Sequence, residues 1–179
     1  MYPYLAKSFP ERPTLTTPRL NRDTACGKVF VSSYRWDVLG GGEVAEFFIN
    51  NPADGPRCII ELIKPATSAL AYQNMYKDVT VNDIGTELFQ QNKIIDNGVA
   101  SVVKTYRDGD YTYGVDEMIN DELLPGGTGP RSVGSVGESI GGIVWPGHNF
   151  LIVIENATGQ DTSVSVRFVW REHGPCYLC

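Results

Sequence analysis

The sequence predicts an all-β protein, an antiparallel two-sheet sandwich with an extended N-terminal arm. Three observations carry this. The last quarter, IVWPGHNFLIVIENATGQDTSVSVRFVWREH, reads as two long strands joined by a polar turn. There Phe150, Ile152 and Ile154 alternate with Leu151, Val153 and Glu155, and Val164, Val166, Phe168 and Trp170 alternate with Ser165, Arg167 and Val169. Strand-like segments also recur at roughly ten- to fifteen-residue spacing along the body, with breakers such as Gly40-Gly41-Gly42, Asn97-Gly98 and Asp108-Gly109 between them.

Residues 1–24 carry Pro3, Pro10, Pro13 and Pro18, which remove backbone donors and favour extended chain, so this segment is an arm. Its Tyr2, Tyr4, Phe9 and Leu15 are anchors for a protein surface, and Arg12, Arg19 and Arg22 suit acidic groups there. Strands are expected at 28–34, 43–50, 57–63, 77–84, 86–90, 99–106 and 111–118, followed by the final hairpin. One short helix is expected at 67–76. Nine or ten strands fit a two-sheet jelly roll better than a seven-strand immunoglobulin domain. The domain division is arm 1–24, sandwich 25–173 and tail 174–179. Residues 126–142 hold seven glycines among 17 residues and read as a long loop.

The 179 residues suffice for one domain that buries about 70% of its unfolded surface. Fifteen basic and 21 acidic residues leave a net charge of −6, which argues against nucleic acid or an anionic membrane as partner. The charge is uneven. Through Lys28 there are five cations and two carboxylates, giving +3, so the remainder carries −9. No apolar run is long enough for a membrane span, and the first residues lack the apolar core of a secretion signal.

Motifs with catalytic overtones lack their context. Gly137-Glu138-Ser139-Ile140-Gly141 matches a nucleophile elbow, with Glu155 or Asp161 and His173 as formal partners, but an α/β hydrolase needs a parallel sheet. Cys176 and Cys179 form a C-x-x-C three residues after His173, yet Cys26 and Cys58 are isolated and supply no second ligand pair. Cys58, between apolar neighbours, reads as a buried thiol. Asp108, Asp110, Asp116, Glu117, Asp121 and Glu122 do not keep calcium-loop spacing and read as a solvated rim. His148 and His173 read as strand-end polar residues. Asn156-Ala157-Thr158 matches a glycosylation acceptor but reads as a hairpin turn. Neither catalytic residues, cofactor nor metal are expected. Tyr106, Tyr111 and Tyr113 flank the Asp108-Gly109-Asp110 turn, where they either form an exposed aromatic contact or pack across strands.

Three stretches carry a resemblance. They are the ending from Trp145-Pro146-Gly147-His148 through the Ile154-Glu155-Asn156 turn to Trp170-Arg171-Glu172-His173, the segment Ile84-Gly85-Thr86-Glu87-Leu88 followed by Asn92, and Gly27-Lys28-Val29-Phe30-Val31. Together they resemble bacteriophage head-decoration or cement proteins, virion structural proteins with a jelly-roll β-sandwich. The cysteine tail and proline arm depart from that pattern. The resemblance implies a non-enzymatic protein on the outer capsid surface of the virion, assembled in the host cytoplasm. It also implies the major capsid protein and further copies of itself, as homotrimer or homodimer, as partners. A carbohydrate- or receptor-binding sandwich of a phage tail is the competing expectation.

Overall fold

The computed structural model describes residues 28–93, 99–126 and 142–173. Among them every strand pairing is antiparallel, and the one helix is a 3-10 turn at Val115–Glu117. The chain is a long hairpin rolled on itself. β1 (Val29–Leu39) pairs with β13 (Thr162–His173), and β2 (Val44–Asn50) pairs with β12 (Asn149–Asn156). β3 (Arg57–Thr67) pairs with β11 (Ile143–Val144), and β4 (Ala71–Lys77) pairs with β10 (Met118–Leu124). Rolling then sets β13 beside β3 and β12 beside β4.

The result is one sheet ordered β11-β3-β13-β1-β7 facing another ordered β10-β4-β12-β2-β8-β6. That order is the jelly roll the strand count predicted. The short β6 (Thr86–Glu87), β7 (Gln91–Asn92) and β8 (Lys104–Arg107) extend both sheets along the β1/β2 side. β5 (Thr80–Asp83) and β9 (Asp110–Thr112) pair separately as a ribbon.

Period-two alternation fills the space between the sheets. Phe47, Ile49, Phe150, Ile152 and Ile154 from the second sheet meet Phe30, Ile63, Val164, Val166, Phe168 and Trp170 from the first. The opposite sides of β2 and β12 are also buried, because the ribbon lies over them. Phe48, Leu151 and Val153 pack there with Tyr76, Val79 and Tyr111 as a second core. This is why FLIVI reads as an unbroken apolar run rather than a one-faced strand.

The expected helix at 67–76 is instead the end of β3, a turn and β4. Ala71, Gln73 and Met75 face inward while Tyr72, Asn74 and Tyr76 face outward, and β4 bonds to strands on both sides. Those neighbours outweigh the helix preference of Ala, Leu, Gln and Met. The expected strand 77–84 breaks at Asp78, whose φ is 55°, so the chain leaves β4 and starts β5. The expected strand 111–118 is likewise split by the 3-10 turn, and β10 begins where it was expected to end. β3 runs four residues further than expected, through Pro65. Ser68 N–H donates to Ser163 O (3.0 Å), so by alternation the missing Pro65 donor faces the open side and no ladder bond is lost.

Candidate functional site: an open apolar edge

On the β10/β11 side of the sandwich several large apolar side chains meet solvent, as Phe89, Val38 and Val115 do singly elsewhere. On β10, Ile119 and Leu123 are about half exposed (48% and 52%), and Leu123 sits opposite half-exposed Tyr72 of β4. Ile143 and Trp145 are exposed to a similar degree. Between the two edge strands lies a cleft of about 310 Å³ whose apolar wall is Ile60, Ile119, Ile143, Val144, Trp145 and Phe150. Lys77, Asp78 and His148 make its polar rim.

Local chemistry sets this surface. Trp145-Pro146-Gly147-His148 is a β-turn closed by His148 N–H donating to Trp145 O (3.1 Å), with Gly147 at φ 81° in the third position, which only glycine fills cheaply. The turn holds Trp145 outward, and the Arg57 guanidinium stands 5.9 Å from its ring centroid. Buried Asn51 pins β11 by donating to Val144 O (2.9 Å) and Pro56 O (2.7 Å). Asn149 clamps the strained Asp78 corner, accepting from Val79 N–H (2.8 Å) and donating to Val79 O (3.0 Å), while His148 Nδ1 lies 2.7 Å from the Asp78 carboxylate.

The three tyrosines lie elsewhere. Asp108, at φ 52°, turns a corner, so β8 stays in the second sheet while β9 crosses over its outer face, and no hairpin forms between them. Tyr111 is buried, stacks on Phe48 at 4.6 Å and donates its hydroxyl to Ile84 O (2.7 Å). Tyr106 leans on Phe48, and Tyr113 packs 4.3 Å from Tyr76. They serve the second core, not an exposed platform. Glu46 lies under the same ribbon. Burial first, then Asp108 and Asp110, push its carboxyl up to about 7.

The arm residues Tyr2, Tyr4, Phe9, Arg12, Leu15, Arg19 and Arg22 lie outside the described residues, as do Cys26, Ser139, Cys176 and Cys179. Cys58 is fully buried, and burial, aided by the Glu172 carboxylate, pushes its thiol well above the usual range. The acidic residues disperse. Asp108 and Asp110 sit at the ribbon corner, Asp116 and Glu117 in the 3-10 turn, and Asp121 and Glu122 on β10. No group of three metal-ligating side chains exists among the described residues. His173 stands 3.2 Å from Arg57 at the end of β13. Asn156 is buried, its amide donating to Leu39 O, Gly40 O and Gln160 O, so it works as a turn residue with no room for a glycan.

The residues that form the open edge escaped the sequence reading. Asp121 and Leu123 alternate with Glu122 and Leu124, but the strand expected there ends at Met118, and a bulge at Ile119 interrupts the pattern. No family model, curated protein or solved structure matches this chain.

Proposed function

We propose that this chain is a non-enzymatic structural protein of a virion, holding neighbouring subunits of a protein shell together from its outer surface. The observation that supports it is the coincidence, on one side of the sandwich, of an edge strand open among the described residues with half-exposed Ile119, Leu123, Tyr72, Ile143 and Trp145. Edge strands of soluble domains are ordinarily blunted or covered, and apolar side chains gathered beside one are the usual mark of a protein partner. Jelly rolls serve viral shells and lectins alike, so the fold alone is only analogy. The one described thiol, Cys58, is sealed in the core. Several modest contacts on one shell sum to firm attachment.

Co-sedimentation tests this reading. Full-length chain mixed with purified shells assembled without it pellets with them and raises their disassembly temperature, whereas a chain that stays in the supernatant at micromolar concentration ends the proposal. Carbohydrate binding is the second reading, favoured by Trp145 standing exposed beside the cleft. Saturable binding on a glycan array, lost in Trp145→Ala, would select it instead.

A further inference from the structure

We propose that β10 takes an additional strand from a second copy of this chain, supplied by residues 16–24 of that copy's N-terminal segment. The inference rests on reading the open edge as a protein-binding surface and names what lies on it. β10 runs for seven residues and, among the described residues, pairs only with β4. It carries no Pro, Lys or Arg, and its bulge at Ile119 and inward Glu122 leave Asn120–Leu124 as the regular stretch available for pairing. The neighbouring open edge of β3 does, at Lys64 and Pro65.

Charge selects the occupant. Outside the ribbon's cover, the outward positions of β2, β4, β10 and β12 hold Asp121 and Glu155 and no Lys, Arg or His. Glu155 lies beside Tyr72, which lies beside Leu123. Pairing β10 with β10 of another copy around a two-fold axis would bring the Asp121 and Glu122 carboxylates of both together, which is unfavourable. A basic strand is favoured. Residues 1–24 contain four cations against two carboxylates, in a chain whose remainder is acidic.

The pattern gives a register. Leu20 and Arg22 are two apart and so share one face of an extended strand, as do Leu123 and Asp121 on β10. Antiparallel addition with Leu20 opposite Leu123 sets Arg22 opposite Asp121, joining apolar to apolar and cation to carboxylate, and brings Thr24 level with the bulge at Ile119. It also explains why the donor belongs to another copy. Val29, Arg171, Ile59 and Ile143 are successive register partners across the first sheet, so β1 starts three strands away from β11. A strand added outside β10 lies about four strand spacings across and one layer down, roughly 21 Å from Val29. The five residue steps from Thr24 to Val29 reach at most about 18 Å.

A photo-crosslinking benzoylphenylalanine at position 123 of the full-length chain, in an equal mixture of ¹⁵N-labelled and unlabelled protein, tests this directly. The expected products join a labelled copy to an unlabelled one, with the crosslinked peptide falling within residues 16–24. Asp121→Arg should weaken self-association at least tenfold, and Arg22→Asp in the same chain should restore it. Crosslinks confined to one copy, crosslinks to β10 of the other copy, or no rescue by the double exchange overturn the inference. If shells still pellet the chain when these crosslinks are missing, the strand-exchange inference falls while the shell-binding reading stands.

Discussion

The outer face of the second sheet is built from the same strands across its width, yet its two halves have opposite fates. Over Phe48, Leu151, Val153 and Tyr76 the β5–β9 ribbon closes a second core, and Tyr111 and Tyr113 complete it. Along Val44, Tyr72 and Leu123 the face is open among the described residues, with Glu155 among them. Both halves are aromatic and apolar. The difference is that one has its cover in the segment between β4 and β10, while the other keeps comparable side chains uncovered by the described residues. A covered patch contributes to stability, whereas an uncovered one costs solubility unless it binds something.

The covered half should break hardest. Tyr111→Ala removes the Phe48 stack and the hydroxyl bond to Ile84 O, and is expected to cost about 3–5 kcal/mol, measured by urea unfolding. Glu46 sharpens the contrast through pH. Its folded carboxyl is raised to about 7 from an ordinary 4.5, so its neutral form is the one the ribbon favours. Stability is therefore complete below about pH 4.5 and declines as pH rises through 7. Glu46→Gln should abolish that decline, melting about 2–4 °C above the parent at pH 8, a figure reduced for a group only half buried. The two melting curves should converge in acid, and a variant that instead melts lower at pH 8 would contradict the burial argument. The open half should matter least to folding. Leu123→Ala and Tyr72→Ala are expected to shift unfolding by no more than about 0.5 kcal/mol while reducing attachment to partners. A loss as large as that of Tyr111→Ala would show the halves to be one core.

Much of the body was legible because period two and turn chemistry act locally. The two strands β12 and β13, the Asn156 turn and the Trp145-Pro146-Gly147-His148 turn follow from residue order, but the expected final hairpin does not form, because the turn carries the chain from one sheet to the other and β12 and β13 pair with different partners. What was illegible depends on distant chain. Nothing near 67–76 announces that β12 and β10 will flank it and hold it extended. Nothing near Asp108 says that the ribbon crosses a sheet instead of closing a hairpin, so of the three tyrosines, for which exposed contact and cross-strand packing were both open, Tyr111 is interior and Tyr106 and Tyr113 pack partly buried beside it. The unbroken apolar run of β12 did carry the clue that both its faces are buried. For the open edge the alternation in β10 was available, but its exposure follows from what fails to cover it, which no local pattern encodes.

Hydrogen–deuterium exchange of the full-length chain, free at a dilution that leaves it monomeric and attached to assembled shells, reads the central claim most directly. Attachment should slow exchange across Met118–Leu124 and Ile143–Val144 and leave the already protected β2 and β12 unchanged. Protection that falls only on the outer face of the β3-β13-β1 sheet, with β10 exchanging as fast as in the free chain, would contradict it.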